Sequence, residues 1–264
     1  MSRRRYCATA AGDGTENEDV GLLGENWAFV LDGATAPPLE SGCVHGVRWY
    51  VDQLAADLSR RLDAATDPLP TLLAGSIAAV TESHADTCDT GNPSSPSSTV
   101  AIVRELAGNL DYLVLADSPV ILDVNGEIRP VLDTRIDRLP SYDVETVTRI
   151  RNTTAGFWVA STCPEAAHQA VSGSVPLDEV RRVVLATDGA TRLVDRFGLY
   201  DWSDLVDLCA DSEDGPWRLI EHTRAAEEDG QTLTLPGARR AKRHDDATVI
   251  ALDYTSERAD TAVL

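Results

Sequence analysis

Two stretches of this chain end alike: WAFVLDGAT over residues 27–35 and VVLATDGAT over residues 183–191. In each, an apolar run closes on an aspartate followed at once by glycine. Further acids stand at strand-end positions: Glu18-Asp19 after Asn17, Asp117 before Ser118, and Asp245-Asp246 after His244. Carboxylate oxygens are hard ligands suited to Mg²⁺ or Mn²⁺. Several of them at one rim of a sheet would repel one another unless cations neutralised them. Glycine after each aspartate lets backbone, including a carbonyl, come close to a metal. Taken alone, either DGAT reads as a strand followed by a turn; the ordered set is what points to two strands each delivering a ligand to one two-metal site.

Other chemistries lack their residues. The D-x-D-G-T nucleophile of haloacid-dehalogenase-type phosphatases requires an acid at positions occupied here by Val30 and Ala186. A cysteine phosphatase needs five residues between its cysteine and arginine to form the phosphate cradle, whereas Cys43 and Arg48 enclose four. There is no G-x-S-x-G elbow, Walker loop or H-E-x-x-H. His45, His84, His168, His222 and His244 form no ligand pair by spacing, which argues against zinc.

Composition narrows the partners. Among 264 residues, 23 Lys and Arg face 43 Asp and Glu, a net charge of −20 that speaks against nucleic acid or an anionic membrane. The five cysteines are scattered with no C-x-x-C pair and read as reduced thiols of a cytoplasmic protein. No apolar segment follows Arg3-Arg4-Arg5 as in a secretory leader, and no apolar run approaches the roughly 20 residues of a membrane span.

The elements that must position the acids are legible in outline. Residues 19–32 read as two short strands around Gly24-Glu25-Asn26. Val44, Val47, Val51, Leu54, Ala55, Leu58 and Leu62 recur at helical spacing, predicting a helix over about 41–63, with a second over 70–84. Strands follow at 99–105 and 110–117, then a hairpin over 119–132 whose Asn125-Gly126 suits a type I′ turn. Helical stretches near 141–151 and 164–171 precede a buried strand at 181–188; helices at 201–211 and 215–229 precede a last strand at 247–254. Hairpin connections among interspersed helices predict an α+β fold with largely antiparallel sheets. The two DGAT copies have unlike flanks, and no repeat of regular period accompanies them.

In that order the motifs resemble the metal-dependent type 2C protein phosphatase family. Its R-x-x-N-E-D, D-G-H-G-G, G-S-T, G-D-S, S-D-G-L-W-D and D-N-x-T-V landmarks are matched by GTENED (14–19), VLDGATA (30–36), SSTVAIV (97–103), LADSPV (115–120), ATDGATR (186–192) and DDATVI (245–250). The resemblance covers nearly the whole chain, so 1–264 is expected to form one domain with a motif-bearing core of about 12–254. It implies a four-layer α-β-β-α sandwich with two facing antiparallel sheets. It implies two Mn²⁺ or Mg²⁺ ions and room for a third: Asp32 bridging two ions, the Gly33 carbonyl on one, Asp188 and Asp245 on the second. Glu18 and Asp19 would then hold metal-bound waters, and Asp117 would border the accessory ion. The implied activity is hydrolysis of phosphoserine and phosphothreonine in proteins by a metal-bridging hydroxide attacking phosphorus in line.

Three positions depart from the family pattern. The arginine that grips phosphate is Gly14 here, the D-G-H-G-G histidine is Ala34, and the acid closing S-D-G-L-W-D is Arg192. Arg192 is therefore the candidate for phosphate binding, since a guanidinium meets phosphate in a bidentate way, and His45 is a candidate for the lost acid. The basic run 238–243, with Trp202 and Trp217, marks the segment expected to govern substrate choice. Two rivals stand beside a protein phosphatase: a pseudophosphatase that binds without turnover, and a phosphatase of a small phosphorylated metabolite.

Overall fold

A computed structural model describes residues 3–13, 16–34, 41–141, 143–229 and 243–255. The described strands are β1 (Arg4–Ala10), β2 (Val20–Leu23), β3 (Trp27–Ala34), β4 (Ser97–Leu106), β5 (Asn109–Leu115), β6 (Val120–Val124), β7 (Glu127–Val131), β8 (Val171–Pro176), β9 (Val180–Ala186) and β10 (Ala247–Asp253). The helices are α1 (Val47–Ala64), α2 (Leu69–His84), α3 (Val144–Ile150), α4 (Asp188–Asp195), α5 (Trp202–Asp211) and α6 (Gly215–Glu228). One sheet runs β1-β10-β9-β6-β7 and the other β2-β3-β4-β5-β8. Every neighbouring pair in both is antiparallel.

The central strands are buried on both faces, and their period of two sorts side chains into layers. Ala28 and Val30 of β3, Ala101 and Val103 of β4, Val183 and Leu185 of β9, and Ile250 and Leu252 of β10 meet between the sheets. Phe29, Leu31, Val100 and Ile102 face the other way, onto Tyr50, Leu54 and Leu58 of α1 and Leu73 and Ile77 of α2. Val184, Ala186, Val249 and Ala251 pack outward against Leu205 and Val206 of α5 and Leu219 and Ile220 of α6. The result is the expected four-layer sandwich.

The β6–β7 hairpin turns at Asn125 and Gly126, both with positive φ (54° and 90°), as the Asn-Gly pair requires. Helix α1 starts at Val47, later than the apolar spacing suggests, because Val44 stands outside the core at 74% exposure. Residues 164–169 form a 3₁₀ helix in place of the expected α-helical stretch. Three elements were not foreseen. β1 and β8 are the outer strands of their sheets, half exposed and without a continuous apolar run; α4 opens on Asp188-Gly189, which by itself reads as a turn. No helix among the described residues is long and apolar enough to cross a membrane.

Leu185 is fully buried between the sheets. Leu185→Ala is expected to lower unfolding free energy by about 2–5 kcal/mol, read as a lower urea midpoint with an unchanged slope.

Candidate active site

At one end of the sandwich the apolar layer between the sheets becomes polar without a break in strand periodicity. On β3 the next residue on the side of Ala28 and Val30 is Asp32; on β4, the same side carries Thr99, which is the register partner of Asp32. Beyond Val183 and Leu185 comes Thr187, and before Ile250 and Leu252 come Thr248 and Asp246. Thr187 Oγ1 donates to Asp19 Oδ2 at 2.8 Å and accepts from the Thr248 N–H at 2.9 Å, while the Thr99 and Ser118 hydroxyls pair at 2.6 Å.

Burial holds the Asp32 carboxyl well above the usual carboxylate range, and Asp19, Asp188, Asp117 and Asp245 push it the same way. Asp19, only 3% exposed, is raised from its ordinary 3.8 to about 7. Desolvation dominates that shift; the Thr187 and Thr248 hydroxyls oppose it, and the charges of Asp246 and Asp188 add to it. Asp19 Oδ1 is buried with no hydrogen-bond donor among the described residues. Four acids thus oppose the charged form of Asp32, and one of them, Asp19, has a buried oxygen without a donor among the described residues. Hard divalent cations fit this donor set.

Several of the acids are held by identifiable neighbours. Asp246, 8% exposed, accepts from the Gly12 N–H through Oδ1 (2.8 Å) and the Glu18 N–H through Oδ2 (2.7 Å), lacing the loop after β1 to the start of β10. Across the same seam the Asp13 N–H donates to the His244 carbonyl and the His244 N–H donates to Asp13 Oδ2, at 3.0 Å each. Asp188 opens α4, where the amide dipoles favour negative charge, and its Oδ2 accepts from Arg196 at 2.9 Å. Ala116, before Asp117, has φ 66°, a left-handed conformation that alanine adopts at a cost, and its N–H donates to Asp133 Oδ2 at 3.0 Å.

The two glycines of the DGAT copies permit close approach, each to a different partner. A Cβ on Gly33 would lie 2.6 Å from Val47 Cγ1 and 2.7 Å from the Glu18 carbonyl oxygen; one on Gly189 would lie 1.9 Å from the Asp246 carbonyl oxygen. The first glycine seats Glu18 beside Asp32, and the second seats α4 against the start of β10.

Asp19, Asp32, Asp117, Asp188 and Asp245 are therefore brought together, with Glu18 packed over Gly33. Arg192 is a correction. Its side chain is 3% exposed, ion-paired to Glu227 and bonded to Asp245 Oδ2 at 2.9 Å and the Arg243 carbonyl at 3.1 Å. A guanidinium so enclosed orients Asp245 and does not have the open placement that phosphate binding requires. His45 stacks on Trp49, with ring centroids 3.9 Å apart, and belongs to another cluster. Ala34, at the family's histidine position, is exposed at the end of β3, and Gly14 and residues 238–242 lie outside the described residues. Spacing gave no sign of Glu227, which also receives Arg224 at 3.1 Å and His244 at 2.6 Å, or of Asp195, raised to about 6 by burial with Asp188 adding to the rise. Asp246 was visible only as the second half of an acid pair.

A two-sheet α+β sandwich with an acidic, cation-fitted site at one end is the class that this geometry defines. Residues 10–225 match the family model described as protein phosphatase 2C, and the chain belongs to that family of phosphatases. The fold is similar to the Mycobacterium tuberculosis serine/threonine phosphatase PstP/Ppp (TM-score 0.62, 15% identity, 96% of this chain and 99% of that one). It is equally similar to the catalytic domain of serine/threonine protein phosphatase PstP in complex with two manganese ions (0.62, 15%, 95% and 97%). Serine/threonine phosphatase Stp1 from Staphylococcus aureus is a further likeness (0.61, 14%, 96% and 95%). No curated protein matches the chain in sequence.

Two outcomes are expected. Asp19 binds its proton more tightly folded than unfolded, so this contribution to stability is complete below about pH 4 and is lost as pH rises to about 7. In chelator, the stability of wild type minus that of Asp19→Asn is expected to fall across that window by roughly 4 kcal/mol at 1.36 kcal/mol per pKa unit; a flat difference would refute the assignment. Arg192→Ala, which removes one of three cationic partners of the buried Glu227, is expected to cost about 1–3 kcal/mol in denaturant unfolding.

Proposed function

We propose that this chain hydrolyses phosphomonoesters with the help of divalent cations, Mn²⁺ or Mg²⁺, held at the carboxylate rim, and that its substrates are phosphoserine and phosphothreonine in proteins. The observation that carries this reading is the packing of like charges around Asp32, with Asp19 Oδ1 buried and without a donor among the described residues. A module kept only for binding has no need of so costly a cluster, which weighs against a pseudophosphatase.

In this reading Asp32, the Gly33 carbonyl, Asp188 and Asp245 would hold the two principal cations, Glu18 and Asp19 would act through water, and Asp117 would border an accessory site. The cations, when bound, supply Lewis-acid polarisation of the phosphoryl oxygens and a water acidic enough to attack phosphorus. The protein's own share is orientation. Thr187 aims Asp19, Asp246 fixes the Glu18 backbone, and Arg192, itself held by Glu227, aims Asp245. Arg196 holds Asp188 from the more open side, its side chain 16% exposed. Ala34 has no proton to give a leaving group. All five cysteines stand as free thiols, which supports a reducing, cytoplasmic setting.

Metal-stripped protein is expected to hydrolyse p-nitrophenyl phosphate only after Mn²⁺ or Mg²⁺ is restored. Asp32→Ala is expected to reduce kcat/KM by roughly 10²-fold or more, the scale of several kcal/mol of charge stabilisation. Folded protein inactive with either metal on this ester and on a phosphopeptide panel would overturn the proposal; faster turnover of small phosphorylated metabolites than of phosphopeptides would replace its substrate class.

A further inference from the structure

Away from the carboxylates, the structure gathers a second set of ligand atoms. Cys43 Sγ, a ring nitrogen of His84 and Cys88 Sγ lie within 4.8 Å of one another. Spacing concealed them, because Cys43 precedes α1 whereas His84 ends α2 and Cys88 follows it. We propose that Cys43, His84 and Cys88 form a binding site for a thiophilic divalent cation of the zinc class, which staples the segment before α1 to the end of α2.

The imidazole is oriented for ligation. His84 is 3% exposed, and its Nδ1 lies 2.7 Å from the Val80 carbonyl, an acceptor only, so Nδ1 carries the proton and Nε2 is left to bind metal. A ligating histidine whose other ring N–H meets a backbone carbonyl is the usual supporting arrangement of zinc sites. Cys88 Sγ accepts from the Val44 N–H at 3.4 Å and lies 3.6 Å from Thr87 Oγ1, contacts that suit a thiolate. The two loops are already joined without an ion. The Asp89 N–H donates to the Gly42 carbonyl at 2.9 Å, the Cys88 N–H to the His84 carbonyl at 3.0 Å, and Gly42 adopts a positive φ of 64° beside Asn92.

With Zn–S near 2.3 Å and Zn–N near 2.1 Å, the ligand atoms of one tetrahedral ion stand roughly 3.5–4 Å apart, so little closure is needed. Binding one M²⁺ forms two M–S bonds and one M–N bond and releases the two thiol protons to solvent, while His84 keeps its Nδ1 proton. The fourth position is left to water. Thiolate and imidazole select Zn²⁺ where the carboxylate rim selects Mg²⁺ or Mn²⁺, so the two sites take different ions. Val47, three residues after Val44, packs on Gly33, so the staple anchors chain that leads directly to the carboxylate site.

Reduced, metal-stripped protein titrated anaerobically with Co²⁺ tests this. A thiolate-to-cobalt charge-transfer band in the near ultraviolet is expected, which carboxylates cannot produce, and Zn²⁺ is expected to displace it. Cys43→Ser and Cys88→Ser are expected to weaken Co²⁺ binding tenfold or more, while Cys163→Ser and Asp32→Ala keep the band, so the outcome is independent of hydrolysis. In wild type, Zn²⁺ is expected to slow alkylation of Cys43 and Cys88, mapped by mass, at least tenfold and to raise Tm; this measurement needs no variant to fold. Absence of the band, a band undiminished in Cys88→Ser, or unprotected thiols would overturn the proposal. So would a Cys43–Cys88 disulfide as the stable form with no cobalt binding after its reduction.

Discussion

The crowding of carboxylates around Asp32 is the constraint around which this molecule is organised. Asp32 sits where the apolar layer between two sheets ends; burial holds its carboxyl protonated well above the ordinary range, and the charges of Asp19, Asp188, Asp117 and Asp245 add to the rise. A folded chain tolerates such a group only if rigid neighbours hold the acids in place and something of opposite charge can enter among them. The rigid part is the pair of antiparallel sheets, whose core strands are apolar on both faces up to the last residues before the acids. The same walls that make charge costly make a bound cation effective, because a low-dielectric surround strengthens its field.

Closure of the site depends on segments far apart in the chain. Asp246 uses both oxygens to hold the Gly12 and Glu18 amides, so the loop after β1 cannot leave the start of β10 without stranding two donors and a carboxylate. Glu227 of α6 does comparable work from the helical layer, receiving Arg192, Arg224 and His244 and thereby fixing the segment that carries Asp245. The positive groups near the carboxylates are thus largely committed to holding the scaffold. Among the described residues, the phosphate-gripping role that the family gives to an arginine is not transferred to Arg192.

The second cluster differs from the first in every property that decides metal choice. It is built from two sulfurs and an imidazole, lies between a loop and a helix end, and contains no carboxylate. Hard and soft ligand sets on one chain allow two kinds of ion to be held without competition, one for chemistry and one for architecture.

The fold class and the acids were legible in the sequence because both rest on local regularities. Alternating and continuous apolar runs mark the buried strands, Asn125-Gly126 marks its hairpin, and acids recur where apolar runs stop. β1, β8 and α4 were not legible, since outer strands bury too little surface to impose a pattern and an eight-residue helix that opens on Asp-Gly looks like a turn. Nor could the sequence distinguish an exposed arginine from a buried one, or show that Cys43 and His84 are neighbours. By itself, then, the sequence determined the layered α+β architecture and the family, because strand periodicity and motif order are one-dimensional properties. Only the tertiary structure decided which charge pairs with which, that Arg192 serves Asp245, and that two cysteines meet a histidine, because those are distances between segments separated by tens to hundreds of residues.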